Sequence, residues 1–332
     1  MTPARTAAPK VFATGGAGFI GSHYVRTLLA GGYAGYEDAE ITVFDALTYA
    51  GNRGSLPVSH PRMRFVQGDV CDRAALLDLL PGHDVVVHFA AESHVDRSIH
   101  APVEFVRTNV LGTANLLDAC VRTGVPRVLH VSTDEVYGSI AEGAWTEDWP
   151  LAPNSPYSAS KAGADLVARA YWHTHGLDVR VTRCCNNYGP YQHPEKLIPR
   201  FVSNLQEGEP VPLYGDGSNI REWLHVDDHC RALHLVLTQG RPGEVYNVGG
   251  GAERTNLRLT ERLLELCGAP PSMVRKVTDR PGHDRRYALD ARKIREELGF
   301  APRIDFDAGL ADTVAWYRDN PGWWKPLKGG SA

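Results

Sequence analysis

Two side chains four residues apart point to proton and hydride chemistry in this sequence. Tyr157 and Lys161 follow Pro156 at the start of an expected helix, where this spacing places both on one face. A lysine ammonium close to a phenol favours the phenolate and lowers the pKa of the tyrosine. We therefore expect Tyr157 to act as a base near neutral pH, taking the proton of an alcohol during hydride transfer.

A glycine-rich turn indicates the matching cofactor. Gly15, Gly18 and Gly21 recur at three-residue spacing directly after an apolar run. Glycine permits a tight turn and lets the backbone approach a pyrophosphate, and the next helix offers unpaired N–H groups to its phosphates. Asp45 ends the second apolar run, where a carboxylate accepts hydrogen bonds from ribose and repels a 2′-phosphate. The pattern predicts NAD+ rather than NADP+, although Asp45 as a plain surface cap is the alternative.

The elements that would position these residues alternate along the first half of the chain. Short β-branched runs are typical of buried parallel strands, and the amphipathic segments between them are typical of helices. We expect strands at 11–14, 41–44, 64–66, 84–89 and 127–131 and helices at 19–29, 73–80, 103–121 and 156–175. This alternation predicts an α/β fold with a Rossmann-type doubly wound parallel sheet.

The local amino-acid composition changes after about residue 190, where glycine, proline, asparagine and charged residues become frequent. We expect a flexible N-terminal extension at 1–9, a dinucleotide-binding domain at 10–190 and a smaller substrate-binding lobe at 191–332. The boundary is approximate, because the chain can cross between the lobes more than once. The ligand crevice of such folds follows the carboxyl edge of the sheet.

Composition excludes several classes of protein. The 332 residues hold 35 Lys+Arg against 39 Asp+Glu, a net charge of −4, which leaves no general basic footprint for nucleic acid. No run approaches the ~18 apolar residues needed to cross a membrane, and residues 1–9 lack an apolar signal core. The six cysteines form no C-x-x-C pair, and the 14 histidines show no metal-ligand spacing. We expect a cytoplasmic protein without a metal site and without membrane or nucleic-acid partners.

Longer motifs extend the pattern beyond these single residues. They occupy residues 14–22, 88–98, 132–138, 157–161, 183–190, 193–199, 221–223 and 279–283. Through them the chain, from about residue 10 to residue 328, resembles the extended short-chain dehydrogenase/reductases and, more narrowly, the dTDP-glucose 4,6-dehydratases. No motif position departs from that pattern.

The resemblance implies a reaction in three steps. NAD+ takes hydride from carbon 4 of dTDP-glucose, water is eliminated across carbons 5 and 6, and the hydride returns to carbon 6, giving dTDP-4-keto-6-deoxyglucose. Tyr157, assisted by Lys161, would deprotonate the hydroxyl at carbon 4, and Thr133 would hydrogen-bond its oxygen. Glu135 would remove the proton at carbon 5, and Asp134 would protonate the departing hydroxyl. Adjacent carboxyls can divide these roles if their pKa values are pushed apart.

The resemblance also assigns the walls of the site. For the cofactor it implies Gly15, Gly18, Phe19, Ile20, Gly21, Asp45, Leu47, Thr48, Asp69, Val70, Phe89, Ala90, Ala91, Ser93, Thr108, Tyr157, Lys161 and Asn187. For the substrate it implies Ser93, Thr133, Asn186, Lys196, Leu197, Pro212, Leu213, Tyr214, Arg221, Asn256, Asp279, Arg280 and His283. Lys196 and Arg221 suit a diphosphate, because arginine grips phosphate oxygens bidentately and lysine supplies a point charge. Helices 103–121 and 156–175 would pair across a two-fold axis in a homodimer.

Two other functions stay open at this point. A nucleotide-sugar 4-epimerase would share the fold and cofactor, but it needs no second pair of proton carriers, so Asp134 and Glu135 argue against it. A catalytically silent NAD-binding protein is disfavoured by the same two residues together with Tyr157 and Lys161. The sequence does not show which nucleotide base is bound or which pathway the product feeds.

Overall fold

Strands and helices alternate through most of the structure, a computed structural model that describes residues 8–328. Its strands are β1 (Lys10–Thr14), β2 (Glu40–Asp45), β3 (Met63–Gln67), β4 (Val85–His88), β5 (Arg127–Thr133), β6 (Asp178–Cys184), β7 (Asn186–Tyr188), β8 (Val211–Tyr214), β9 (Ile220–His225), β10 (Val245–Val248), β11 (Ala252–Thr255) and β12 (Val274–Val277). Its α-helices are α1 (Phe19–Leu29), α2 (Arg73–Leu79), α3 (Val95–His100), α4 (Pro102–Phe105), α5 (Gly112–Thr123), α6 (Pro156–His175), α7 (Leu197–Gln206), α8 (Val226–Gln239), α9 (Asn256–Cys267), α10 (Arg292–Leu298), α11 (Phe306–Asp319) and α12 (Pro321–Lys328).

Each strand and helix expected in the first half is present, and α1 and α6 have the expected bounds. The helix expected over 103–121 extends from Pro102 to Thr123, but it is not α-helical throughout. It is α4, then a π-helical stretch at Val106–Leu111, then α5, with right-handed helical backbone angles at both junctions. A π-helical stretch inserts extra residues into a helical turn and often occurs where a helix approaches a functional site.

A parallel sheet forms the centre of the fold. Across residues 8–328 it contains seven strands in the order β10-β6-β5-β4-β1-β2-β3. Helices α1 and α8 pack together on one face, and α2, α5 and α6 pack on the other. Side chains of β1 alternate between the two cores, with Val11 and Ala13 on one side and Phe12 on the other. These features confirm the doubly wound α/β class.

The C-terminal part of the chain builds a second layer and also returns to the first. A small core that includes Tyr188, Phe201 and Leu263 lies among α7, α9, α11 and the three-stranded sheet β11-β9-β7. Strand β10, however, pairs with β6 in the large sheet. The division at residue 190 stays a prediction. Of the expected extension, residues 1–7 lie outside the described residues, and Ala8 and Pro9 have no regular structure.

Residues 8–328 contain no membrane-spanning helix, no metal-binding group of side chains and no disulfide. No helix in residues 8–328 combines the length and apolarity needed to cross a membrane. In the same part of the chain, no three His, Cys, Asp or Glu side chains are grouped to hold a metal ion. All six cysteines have free thiols.

Because the large sheet is parallel, the carboxyl ends of its strands meet at one edge. Thr14, Asp45, His88, Thr133 and Cys184 therefore end neighbouring strands at the same side of the fold. The first turn beyond β1 is tight: Gly15 has a φ of +66°, and a Cβ there would lie 2.5 Å from the backbone nitrogen of Ala90.

We predict that Gly15→Ala destabilises the fold more than Gly35→Ala does. Gly35 also has a positive φ, +78°, but a Cβ there would meet nothing within 4 Å. The control should lose about 1 kcal/mol through backbone strain, and Gly15→Ala about 2–4 kcal/mol because overpacking adds to that strain. Urea unfolding measures both, and equal losses would contradict the close packing of this turn.

Candidate active site

A cleft of about 380 Å³ opens at the carboxyl edge of the large sheet. Its walls come from the strand ends, from α6 and from the loop before α7. Most of the predicted site residues line it, namely Gly15, Gly18, Phe19, Ile20, Gly21, Asp45, Thr48, Asp69, Val70, Phe89, Ala90, Ala91, Ser93, Thr108, Thr133, Asp134, Glu135, Tyr157, Lys161, Asn186, Asn187 and Lys196. Folding thus brings together side chains that are widely separated in the sequence.

The turn between β1 and α1 fits the pyrophosphate of a dinucleotide. The N–H of Gly15 donates to the carbonyl of Phe44 on β2 (2.8 Å), and this bond holds the turn against the neighbouring strand. Helix α1 begins after Gly18, and no side chain in the described residues caps it. Its first N–H groups are therefore available for phosphates. A Cβ on Gly21 would lie 2.4 Å from the carbonyl oxygen of Gly15, so the helix packs this closely only with glycine there.

Asp45 organises the loops on both sides of the cleft floor. Its Oδ2 accepts the N–H of Ala17 and its Oδ1 accepts the N–H of Leu47, both at 2.8 Å. Burial raises the pKa of Asp45, and these backbone donors act against burial. The remaining lone pairs can accept ribose hydroxyls. Leu47 itself does not line the cleft: its backbone has a φ of +53° and its side chain packs against the core.

An ion pair that sequence reasoning missed lies at one rim of the cleft. Arg107 Nη2 lies 3.1 Å from Asp69 Oδ2 and joins the loop after β3 to the π-helical stretch that carries Thr108. Both partners are well exposed, so the pair contributes at most about 1 kcal/mol. The pair positions the rim of the cleft rather than stabilising the fold.

The start of α6 fixes the predicted base. Ser155 Oγ accepts the N–H of Ser158, Ser158 Oγ accepts the N–H of Ser155, and Pro156 occupies the first turn. This capping box sets the direction in which the helix begins. Tyr157 and Lys161 then face the cleft from consecutive turns, with 8% and 4% of their surfaces exposed.

The expected lowering of the Tyr157 pKa is wrong for this structure. Burial raises the pKa of Tyr157 well above its usual value, and the nearby Glu135 and Cys184 raise it further. The ammonium of Lys161 donates to the carbonyl of Val131 (2.8 Å), and burial lowers the pKa of Lys161 itself. Tyr157 therefore needs another positive charge beside it to ionise near neutral pH.

Asp134 is the more deeply buried of the two adjacent carboxyls, with 1% of its surface exposed. Thr133 Oγ1 donates to Asp134 Oδ1 (3.2 Å) and accepts the N–H of Glu135 (3.3 Å). Burial raises the pKa of Asp134 well above its usual value, and the charges of Glu135 and Glu222 raise it further. These surroundings favour the protonated form of Asp134, which is the form that can donate a proton.

Glu135 lies in a different electrostatic environment. Burial raises its pKa above the usual value, and the charges of Arg280, Arg221 and Lys196 act against that rise. Lys196 is held beside the cleft by donating from Nζ to the carbonyl of Ser93 (2.6 Å). These cations stabilise the charged form of Glu135, whereas the acids near Asp134 favour its protonated form, and one acid and one base require such a difference.

The remaining predicted substrate residues do not line this cleft. They are Leu197 at the start of α7, Pro212, Leu213 and Tyr214 on β8, Arg221 on β9, Asn256 at the start of α9, and Asp279, Arg280 and His283 after β12. Asp96 of α3 links two of them to the first lobe, since it accepts from Tyr214 Oη (3.2 Å) and from Arg280 Nη1 (3.4 Å). Their role in binding stays a prediction.

Glu92, within the stretch 89–93 expected along the cofactor, also lines the cleft. Several side chains that sequence reasoning missed line it as well: Glu104, Arg107, Cys184, Cys185, Gln192, His193 and Glu195. Most lie within or beside the motifs at 88–98 and 183–199, so proximity in sequence was the only available signal. Burial raises the pKa of Cys184 to about 12, and its thiol therefore stays protonated at neutral pH.

Comparison with known families now identifies the group to which the chain belongs. Residues 12–313 match the family model described as GDP-mannose 4,6 dehydratase. The chain belongs to that family.

Three similar proteins show the range of this family. The dTDP-glucose 4,6-dehydratase of Streptomyces antibioticus is 61% identical over 316 residues, which cover 95% of this chain and 94% of the relative. The crystal structure of DesIV (dTDP-glucose 4,6-dehydratase) from Streptomyces venezuelae with NAD and TYD bound has a TM-score of 0.95 and 63% identity, covering 96% of this chain and 99% of that one. The UDP-glucose 4-epimerase of Thermus thermophilus in complex with NAD has a TM-score of 0.85 and 34% identity, covering 94% and 99%.

We predict that Asp45→Asn weakens NAD+ binding about tenfold, because a hydrogen bond to a charged acceptor is lost. The preference for NAD+ over NADP+ should narrow, because the charge that repels a 2′-phosphate is removed. Calorimetric titration of cofactor-stripped protein measures both affinities. The control is Asp78→Asn, an exposed carboxyl on α2 that does not line the cleft. An unchanged affinity ratio would refute the assignment of Asp45.

Proposed function

We propose that this protein is a dTDP-glucose 4,6-dehydratase, a hydro-lyase that uses tightly bound NAD+ and releases dTDP-4-keto-6-deoxyglucose. The observation that carries the proposal is the pair Asp134 and Glu135, which are adjacent but lie in different electrostatic surroundings, beside Tyr157 and Lys161 in one cleft. The similarity to dTDP-glucose 4,6-dehydratases at about 60% identity supports the same substrate.

Oxidation at carbon 4 needs a group that accepts the hydroxyl proton. Tyr157 faces the cleft beside Thr133, so its phenolate would take that proton while the Thr133 hydroxyl orients the oxygen. NAD+, when bound, supplies the hydride acceptor for carbon 4 and the hydride donor for carbon 6, and its positive ring favours the phenolate. Lys161, which faces the same cleft one turn further along α6, would bind the ribose of the cofactor.

Elimination across carbons 5 and 6 needs one base and one acid. Glu135, with three cations around it, would take the proton at carbon 5, which a ketone at carbon 4 makes acidic. Asp134, protonated by its burial, would give its proton to the hydroxyl that leaves carbon 6. A 4-epimerase has no use for this second pair of proton carriers, although the same fold serves the epimerase from Thermus thermophilus.

The deciding experiment is incubation of the holoenzyme with dTDP-glucose in deuterium-enriched water, followed by mass spectrometry. The expected product has lost one water and gained one deuterium at carbon 5. Glu135→Gln should slow both changes ~100-fold or more, because a general base is lost. Asp134→Asn should retain exchange at carbon 5 while losing elimination, because its amide cannot protonate the leaving hydroxyl.

Each other outcome points to a different function. An unchanged mass with conversion of gluco to galacto configuration would show a 4-epimerase. Turnover of a UDP or GDP sugar alone would keep the mechanism and discard the choice of nucleotide. NAD+ binding without turnover of any sugar nucleotide would leave a silent binding protein.

We also propose a cytoplasmic homodimer. Four apolar side chains are strongly exposed on the helical face formed by α4, the π-helical stretch and α6: Val103 (72%), Val106 (53%), Leu111 (50%) and Leu166 (57%). A second copy of the same face would bury them in a helical interface. The six free thiols are consistent with a reducing compartment.

We predict that Leu166→Lys converts the dimer to a monomer, because a charge would have to be buried in the apolar interface. Sedimentation velocity measures the change. Val58→Lys is the matched control, since Val58 is 95% exposed on a loop away from these helices. A wild-type monomer, or a Leu166→Lys dimer, would rule out this interface.

A further inference from the structure

A buried carboxylate lies directly behind Arg221. Asp284 has 7% of its surface exposed and accepts hydrogen bonds from two neutral donors. Its Oδ1 accepts from Asn154 Nδ2 (2.6 Å), and its Oδ2 accepts from Tyr287 Oη (2.8 Å). Both carboxylate oxygens are therefore occupied, and neither is bonded to a cation in the described residues.

The same residue holds Arg221 through its main chain. The carbonyl of Asp284 accepts from Arg221 Nη2 (2.9 Å) and from Asn219 Nδ2 (3.1 Å). Arg221 Nη1 donates to the carbonyl of Ile220 (2.8 Å). The guanidinium also lies over the Tyr287 ring, with Cζ 4.1 Å from the ring centroid. Two carbonyls and an aromatic face thus fix the plane of the guanidinium.

In this arrangement the main-chain carbonyl of Asp284 positions Arg221, and the carboxylate of Asp284 does not bond to the guanidinium. If the Asp284 carboxylate bonded the guanidinium directly, it would neutralise most of the Arg221 charge. The Tyr287 hydroxyl and the Asn154 amide instead hold that carboxylate aside, while the carbonyl of Asp284 positions the arginine. Arginine has five N–H donors, and these contacts use two of them, so the others are available to phosphate oxygens.

The positive charge of Arg221 affects a carboxyl group that lines the cleft. Arg221 lowers the pKa of Glu135, while the nearby Asp284 raises it. The positive charge of Arg221 therefore acts at the reacting end of the site, where it would attract an anionic group attached to the sugar. A diphosphate attached to carbon 1 is such a group.

We propose that Asp284 and Tyr287 are positioning residues that hold Arg221, with its charge unneutralised, against the diphosphate of the sugar nucleotide. This inference rests on the proposed function, because it takes a sugar nucleoside diphosphate as the substrate. Neither residue needs to touch the substrate. Both act through the orientation and net charge of the guanidinium.

Tyr287→Phe tests the proposal most directly, because it keeps the ring under Arg221 and removes only the hydroxyl. The freed Asp284 oxygen can then turn to the guanidinium and neutralise it. We expect the Kd for dTDP and the KM for dTDP-glucose to rise about tenfold or more. The kcat should change less than threefold, and the NAD retained by the holoenzyme should stay at the wild-type level. Asp284→Asn removes the carboxylate charge but keeps the main-chain carbonyl that positions Arg221, so its Kd for dTDP should stay near the wild-type value.

Tyr246→Phe is the matched control. Tyr246 is fully buried, and its hydroxyl also donates to a carboxylate, Glu297 Oε2 (2.9 Å), away from the cleft. If removing a buried tyrosine hydroxyl lowers thermal stability in general, Tyr246→Phe should lower the Tm as Tyr287→Phe does. It should leave dTDP binding unchanged.

The outcomes separate this inference from the function on which it rests. A wild-type holoenzyme that does not bind dTDP would overturn the proposed function and the inference together. Normal dTDP binding by both wild type and Tyr287→Phe, or dTDP binding by Asp284→Asn as weak as that of Tyr287→Phe, would overturn the inference alone. Equal weakening of dTDP binding by Tyr246→Phe, or parallel loss of NAD in the Tyr287 and Asp284 variants, would assign these residues a purely structural role and also overturn it.

Discussion

Asp134 lies at the base of the cleft with 1% of its surface exposed, and Lys161 lines the same cleft with 4% exposed. Removing such groups from water costs several kcal/mol each unless protonation or neighbouring groups compensate. Here burial and neighbouring acids favour protonated Asp134, the ammonium of Lys161 donates to a carbonyl, and nearby cations stabilise the charge of Glu135. The strands, helices and loops near the cleft must therefore keep the compensating carbonyl and cations next to these buried groups.

A second layer of polar contacts holds the floor of the cleft. Arg183 Nε donates to Asp165 Oδ2 (2.9 Å), and His130 Nε2 lies 3.3 Å from Asp165 Oδ1. Burial would raise the pKa of Asp165, but His130 and Arg183 outweigh burial and lower it to about 2. Arg183 Nη1 also donates to Tyr137 Oη (2.8 Å), which in turn donates to Asn247 Oδ1 (2.9 Å). The helix that carries the reactive tyrosine and lysine is thereby tied to β5, β6 and β10.

Charged residues of the second lobe change the pKa of a carboxyl group in the first. Arg221 and Arg280 belong to segments after residue 190, yet both act on Glu135 at the end of β5. Asp96 ties Tyr214 and Arg280 to the first lobe. The strands and helices expected in the first half, the glycine turn and the reactive pairs were predictable, because each depends on a short local pattern. The π-helical stretch at Val106–Leu111 was not predictable, because no glycine or proline in that stretch signals it.

The sequence by itself determined which groups can react: a tyrosine and lysine on one helix face, two adjacent carboxyls after a strand, and a glycine turn before a helix. Only the tertiary structure decided their protonation states. Lys161 was expected to lower the pKa of Tyr157, yet burial and the charge of Glu135 raise it. Asp134 and Glu135 look alike in the sequence, but Asp134 is buried near other acids while cations from the second lobe face Glu135. Burial and charge act through space, so residues far apart along the chain set the ionisation of neighbours that local spacing alone cannot distinguish.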